Sequence, residues 1–409
     1  MDDGEAAEPA ERQVPAVLGR RRLLAAAGAG TVAALITAGT GQAAIPAPAG
    51  RRAAAPAAPG GPRLLHIGTY TGDGGGTGLG LARYDPDSGL LTGAAALTGV
   101  ANPSFLAVSA SGGTLYAVDE QPAGAVTAVS VDADGNRRVL GSQPTGGSGP
   151  CHLSAHPGGG YLLTANYDSG SVAVHPLAAD GGLLPRTDLV QHTGAGPDPD
   201  RQDGPHAHMV LSDPDGGYVL AVDLGTDTVY TYRLDEAAGR LAAVSQARVR
   251  PGSGPRHLAF HPSARFAYLA NELGDSVVVC GYDPATGTVS PGQPQPTVPP
   301  GSPAGDRNYP AEVVVSADGA FVYVSNRGHD SVARFAVEED GAALRLLETV
   351  PAGGAYPRHI AFDPTGTLLF AANQNSGTVT VFHVDQDSGA LTPTGTAFAT
   401  PMPVCVLPG

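Results

Sequence analysis

Lysine and tryptophan are absent from this sequence, so all 23 of its basic residues are arginine. Without lysine, a phosphate-cradling P-loop has no residue to reach the outer phosphates, and an enzyme that works through a Schiff base has no amine. Positive charge is scarce as well. The formal net charge is −15 and no basic run follows residue 52, which leaves no electrostatic footprint for nucleic acid. Cysteine is limited to Cys151, Cys280 and Cys405, without the paired spacing of a zinc site. All three fall in strand-like segments and read as buried small apolar residues. What the chain has in quantity is glycine and proline, 58 and 37, together 95 residues or about 23%. That is just under the level at which an aperiodic chain reads as disordered. With 42% apolar residues, the composition describes a folded chain dense in turns. Its length suggests two or more domains, or one large β architecture.

The first 43 residues read as an address. Gly19-Arg20-Arg21-Arg22-Leu23-Leu24 opens an Ala/Gly/Leu stretch ending near Gly39, the pattern of a twin-arginine export signal. Residues 23–39 number 17, five of them glycine or threonine, too thin for a membrane span. Small-residue cleavage sites follow at Gly41-Gln42-Ala43 and Ala47-Pro48-Ala49. Residues 44–62, rich in Ala and Pro, read as a linker. The expectation is an exported, secreted or extracytoplasmic protein with no lasting membrane association. In such an oxidising compartment three cysteines leave at least one unpaired within the chain.

An internal repeat organises residues 63–409. Six segments, 103–119, 150–166, 206–223, 255–271, 310–326 and 357–373, each read as a short apolar strand, a Gly/Asp/Pro turn, a second apolar strand and a closing Asn or Asp. The closing residues are 47, 57, 48, 55 and 47 positions apart. A third, alternating strand follows each, as at 171–175, 228–232 and 378–383, and then a weaker fourth. Four strands per unit of about 50 residues is the signature of a β-propeller blade. Residues 64–70 resemble a second strand without its first, and 401–406 a first strand without its second. Joined, they make a seventh blade closed by both termini, which removes exposed sheet edges. The fold expected is therefore all-β, a seven-bladed propeller.

Blade topology then gathers residues without any coordinates. In an up-down-up-down blade the start of strand one and the end of strand two lie at the same face. The starts bring His152, His206, His208, Arg256, His257, Glu312, Arg358 and His359 to one mouth, and the strand-two ends bring Tyr70, Glu120, Tyr167, Glu272, Arg327, His329 and Gln374. Six of the 12 histidines are in this set. Counting fifteen residues back from Asn166, Asp223, Asn271, Asn326 and Asn373 gives Cys151, His208, Arg256, Ala311 and Arg358. His208 and Arg256 are thus equivalent positions on adjacent blades, and His206 belongs to an insertion. The closing residues themselves read as turn formers, and His257 and His359 fit packing against the next blade as well as ligand contact.

His208, Arg256, Glu272 and Arg327 come from three consecutive blades and are the expected catalytic set. Arginine presents a planar fork to carboxylate or phosphate, or to an oxyanion forming on an ester carbonyl. Histidine can take a proton from water or give one to a leaving alkoxide. Glu272 could orient that histidine, share its role as base, or pair with Arg256. His152, His206, His257, His329, Arg358 and Gln374 are the expected substrate contacts. No Gly-x-Ser-x-Gly elbow marks a serine hydrolase. His206 and His208 with Asp200 or Asp203 make a weak metal signal, and no metal or cofactor is expected.

At these positions Pro205-His206-Ala207-His208, Gly254-Pro255-Arg256-His257, Ala270-Asn271-Glu272, Ser325-Asn326-Arg327-Gly328-His329-Asp330 and Ala372-Asn373-Gln374 resemble the seven-bladed lactonase family. That family includes one type of 6-phosphogluconolactonase and the fungal carboxy-muconate lactonizing enzymes. The resemblance runs over about residues 63–407 and implies a metal-independent site of a His, an Arg, a Glu and a second Arg, falling on His208, Arg256, Glu272 and Arg327. The chain departs from it in carrying an export signal, at odds with a phosphorylated cytoplasmic substrate. It also has Asp119 and Asp223 where other blades have Asn, and Ser104 where others have Arg or His. The leading expectation is hydrolysis of a sugar lactone ester to its hydroxy acid, as in the 6-phosphogluconolactonases, the small-molecule partner being a lactone or an anionic carboxylate, with Arg256 and Arg327 holding the carbonyl and a nearby anionic group while His208, assisted by Glu272, activates water. The alternatives are a muconate-type lactonizing cycloisomerase using the same residues, and a non-catalytic propeller that binds a ligand or a protein.

Overall fold

A computed structural model of the chain describes residues 61–72, 74–302 and 307–409. The expected export signal and nearly all of the linker lie outside the described residues. The rest forms seven sheets, each of four antiparallel strands. Blade 1 is assembled from both ends of the chain: Pro403–Pro408 pairs with Arg63–Thr69, followed by Leu79–Tyr84 and Leu91–Leu97. Blades 2 to 7 follow in chain order, with innermost strands Leu106–Val108, Pro150–Ala155, Ala207–Ser212, Pro255–Phe260, Tyr309–Val315 and Pro357–Phe362. Each innermost strand touches that of the next blade. Pro403–Pro408 touches both Pro357–Phe362 and Leu106–Val108, which closes the ring. Among the described residues no helix is long and apolar enough to cross a membrane.

The second strands are continuous apolar runs because blades cover both of their faces. All six residues of Leu368–Asn373 are buried, whereas the outermost strand Thr288–Pro296 is mostly exposed. The core therefore lies between blades. Leu220 and Val222 of blade 4, for example, cluster with Leu258, Leu269 and Cys280 of blade 5. All three cysteines are free and buried, and burial pushes the Cys280 thiol up to about 12.

The closing asparagines shape the next reversal by bonding across it. The Nδ2 groups of Asn166, Asn271 and Asn326 donate to the Oγ of Ser171, Ser276 and Ser331 at 3.0, 3.2 and 3.3 Å. Each such turn needs a left-handed residue. Gly170 supplies it in blade 3 at φ 63°, and Asp227, Asp275 and Asp330 supply it in blades 4 to 6. Aspartate tolerates that conformation better than most side chains. Asp227 also accepts from the backbone N–H of Gly252 and Gly254 at 2.7 and 2.8 Å, tying the turn to the entry of the next blade.

Closure depends on a close approach at Gly68, which pairs with Cys405. A Cβ there would overlap the Pro103 carbonyl oxygen and come within 2.9 Å of the Cys405 Cβ. Gly68→Ala is therefore expected to destabilise the ring by about 1–3 kcal/mol, as overpacking does. The urea midpoint should fall accordingly; an unchanged midpoint would show that the closing strands have slack.

Candidate active site

The mouth of the propeller is built on a repeated irregularity. In blades 3, 4, 5 and 7 the pairing of strands one and two slips between Pro150 and His152, Ala207 and Met209, Pro255 and His257, and Pro357 and His359. Cys151, His208, Arg256 and Arg358 are left as bulge residues, and blade 6 has a wider slip between Pro310 and Val313. A bulge sets two residues against one and re-aims the extra side chain. The fifteen-residue offset in the sequence thus marks the bulge positions.

Inside the ring a polar cavity of about 330 Å³ is lined by Glu120, Cys151, Tyr167, Asp168, Arg201, His208, Glu272, Arg327, Tyr356 and Arg358. Of the expected catalytic set, His208, Glu272 and Arg327 line it. Arg256 does not: it is buried behind Glu272, with Nη1 donating to the Ala311 carbonyl at 2.8 Å and Nε 3.2 Å from Glu272 Oε2. Burial, Arg327 and Arg358 together pull it down to about 9, so it remains a cation at neutral pH.

Glu272 is the electrostatic hub. Arg201 Nη2 donates to its Oε1 and Arg327 Nη2 to its Oε2, each at 2.6 Å, with Arg256 as the third guanidinium. Burial opposes its ionisation, but Arg327, Arg256 and Arg201 outweigh burial and hold the carboxyl well below the usual carboxylate range. Its oxygens are taken up by the guanidiniums. It makes no hydrogen bond to His208 among the described residues, so its geometry is that of a clamp on guanidiniums rather than a partner of the imidazole. Arg327 is fixed further by Nε donating to the Tyr309 carbonyl at 3.1 Å, and its guanidinium sits 5.3 Å from the Tyr356 ring centroid. Tyr356 holds a left-handed φ of 65°, with its N–H on Asp330 Oδ1 at 2.7 Å.

His208 is 4% exposed. Burial first, then Arg256, His257, Arg358 and Arg327, push its pKa well below the ordinary imidazole value, so the ring is neutral. Its Nδ1 lies 3.8 Å from Cys151 Sγ, and the Tyr167 ring meets it edge-on at 5.4 Å. Arg358 lines the same cavity. It has no hydrogen bond or ion pair to the described residues, its guanidinium sits 5.7 Å from the Tyr70 ring centroid, and Tyr70, Glu120 and Glu272 keep it charged against the effect of burial. Glu120 accepts from the Tyr70 hydroxyl at 3.1 Å and from Ser104 Oγ.

The remaining expected contacts fall outside the cavity wall. His152 and His257 form a deeper layer, with ring centroids 5.2 Å apart and Phe105 tilted against His152 at 4.1 Å. In that layer Glu312 Oε2 lies 2.8 Å from His257 Nδ1 and 3.3 Å from His359 Nε2. His206 stacks on Tyr167 at 4.6 Å, His329 Nδ1 lies 2.7 Å from Ser331 Oγ, and Gln374 Oε1 is buried without a partner. The metal set is split as well: His206 Nε2 is 3.4 Å from Asp203 at the rim, whereas His208 faces the cavity. Among the described residues no group of three or more His, Cys, Asp or Glu is placed to hold a metal ion. Six wall residues were not among the expected site residues. Glu120, Tyr167 and Cys151 occupy repeat positions and could have been added from the register. Asp168, Arg201 and Tyr356 lie in loops where no repeat position points to the cavity.

A neutral imidazole and a guanidinium unpaired among the described residues, lining one polar cavity, suit addition of water to a carbonyl whose oxygen becomes negative. Comparison with known proteins agrees in kind. The profile described as Lactonase, 7-bladed beta-propeller, matches residues 64–408. The chain belongs to the seven-bladed β-propeller lactonase family. It is 36% identical over 291 residues to the 6-phosphogluconolactonase of Bacillus subtilis, covering 71% of this chain and 82% of that protein. Among solved structures it is similar to the periplasmic gluconolactonase of Pseudomonas aeruginosa (TM-score 0.79, 33% identity, 85% of this chain and 99% of that one). It is also similar to a putative 6-phosphogluconolactonase of Bacteroides fragilis (TM-score 0.78, 33% identity, 85% and 98%).

In this member of the lactonase family the three-arginine clamp on Glu272 dictates a stability effect. Glu272→Gln leaves buried guanidiniums without their counter-ion, a loss worth about 3–5 kcal/mol. Because the folded-state pKa is depressed, the stabilisation is complete above the unfolded carboxylate range and is lost as pH falls through and below it. Denaturation midpoints of wild type and Glu272→Gln should therefore converge on acidification; parallel profiles would refute the clamp.

Proposed function

We propose that the protein hydrolyses a sugar lactone to its hydroxy acid. The observation that carries this reading is one polar cavity lined by both neutral His208 and Arg358, which has no ion pair among the described residues. Arg358, together with Arg327, donates to the lactone carbonyl oxygen. His208 takes a proton from water as its oxygen attacks the carbonyl carbon. The tetrahedral oxyanion collapses, the ring C–O bond breaks, and the proton passes from His208 to the departing alkoxide. This assignment differs from the expectation that Arg256 holds the carbonyl and Glu272 assists the histidine. Arg256 is occupied behind the wall, and Glu272 is saturated by arginines. Glu120 and Asp168 offer carboxylate oxygens to substrate hydroxyls, which supports a polyhydroxylated substrate. The names of the Bacillus and Pseudomonas relatives point to gluconolactones, with and without phosphate. The expected export of this chain favours the unphosphorylated form.

The test is proton release from a panel containing glucono-1,5-lactone and its 6-phosphate, with a muconate followed by ultraviolet absorbance as the lactonizing control. His208→Ala should lose about 10²–10⁴-fold in kcat, the range of general-base catalysis. Equal rates in wild type and His208→Ala would eliminate the mechanism, and an inert wild type would favour a binding protein. Since the His208 pKa lies below the ordinary 6.5, its basic form persists on acidification. The kcat/KM of wild type should therefore stay level below pH 6.5, and a fall centred at 6.5 would contradict the assigned base.

A further inference from the structure

Blade 4 differs from its neighbours at its closing residue. Blades 3, 5, 6 and 7 close on Asn166, Asn271, Asn326 and Asn373, but blade 4 closes on Asp223. Its carboxylate is fully buried and reaches both ends of the long connection 192–206. Asp223 Oδ2 lies 2.6 Å from His192 Nδ1 at one end, and Oδ1 accepts from the His206 N–H at 2.9 Å at the other. Oδ1 also accepts from the Thr226 N–H at 2.9 Å. A carboxylate only accepts, so His192 Nδ1 carries the proton. Its Nε2 lies 2.9 Å from the Tyr232 hydroxyl, while Tyr230 stacks on the imidazole at 3.9 Å. The loop is pinned internally by Gln202, itself fully buried, whose Nε2 donates to the Leu224 carbonyl at 2.8 Å. What this loop presents to the site is Arg201. Its Nη2 donates to the Tyr167 hydroxyl at 3.1 Å and to Glu272 Oε1 at 2.6 Å. Its Nε and Nη1 make no hydrogen bond to the described residues.

We infer that Arg201 is a substrate-binding residue, delivered over the cavity by the loop 192–206, and that Asp223 with His192 is the positioning pair that holds both stems of that loop. This rests on the lactone-hydrolase reading above. Three observations carry it. Arg201 lines the cavity while its partners Tyr167 and Glu272 come from blade strands or their ends. Its unpaired N–H groups are the donors a lactone or hydroxyl oxygen lacks at the rim. The buried Asp–His–Tyr chain is not part of the cavity lining, and its contacts run to both ends of the loop, so its visible work is to anchor the loop. Arg201 is partly exposed at the cavity and makes no hydrogen bond to His208 among the described residues, so its contact forms on binding and persists through the reaction, which places its effect on KM.

The test uses the full chain and the lactone on which wild type proves active. Arg201→Ala should raise KM at least tenfold with kcat within about threefold. Arg201→Lys should recover only part of the loss, because one ammonium cannot serve Tyr167, Glu272 and substrate together. Methylguanidinium added to Arg201→Ala should restore binding, which a merely structural role would not produce. For the positioning pair, hydrogen exchange of the wild type should show the His206 and Thr226 amides protected like blade strands, and Asp223→Ala should release them and reproduce the KM defect. A wild-type KM in Arg201→Ala overturns the binding role. Freely exchanging His206 and Thr226 amides in the wild type overturn the clamp, even where Asp223→Ala fails to fold. Loss of activity in no variant, or an inert wild type, separates failure of this inference from failure of the hydrolase reading.

Discussion

Every blade buries its second strand on both faces, so a blade has no complete core until both neighbours are present. Closure of the ring is therefore the constraint on which the other features depend. The pairing of Pro403–Pro408 with Arg63–Thr69 completes blade 1, whose innermost strand then touches those of blades 7 and 2 and leaves no blade with a bare face. It also sets the radius of the mouth. Side chains from blades far apart in sequence, such as Glu120 and Arg358, share a wall of one cavity only because the ring is closed.

Within that frame the site reflects a problem of charge. Four guanidiniums, Arg201, Arg256, Arg327 and Arg358, are brought to one small volume in a chain whose net charge is −15. Desolvating cations in such proximity is costly unless they are paired. One carboxylate, Glu272, satisfies three of them and becomes unavailable for proton transfer in doing so. The fourth, Arg358, has no ion pair among the described residues and offers its whole guanidinium to the cavity, beside the N–H groups that Arg201 and Arg327 keep free of Glu272. The same positive surroundings, added to burial, keep His208 neutral. The absence of lysine thus has a counterpart in the site, where each cation is a planar fork able to share one carboxylate or grip one carbonyl.

Much of this was legible before any coordinates. The repeat fixes seven blades because each blade needs two apolar runs, a turn and a polar stop at a constant spacing. The fifteen-residue offset finds the bulges because a bulge shifts pairing by one residue without changing the count from the closing Asn. The ring position of Glu272 and Arg327 follows from the same count. What the count misses is depth. His152 and His257 sit at ring positions but pack beneath the wall, since one residue along a bulged strand turns a side chain from the cavity to the layer below; Arg256 does occupy a bulge position, but the Ala311 carbonyl and Glu272 hold its guanidinium out of the wall. Arg201 and Asp168 are missed for another reason. They lie in connections whose path no repeat describes.

The amino-acid sequence by itself determined the architecture, the family and the mouth at which the polar residues gather, because strand periodicity and spacing are local properties of a chain. Only the tertiary structure decided which of those residues face the cavity, which arginine is left unpaired and which carboxylate is consumed as a counter-ion. Those outcomes turn on distances of a few ångströms between side chains more than fifty residues apart, such as Arg327 and Glu272, and no local pattern encodes them.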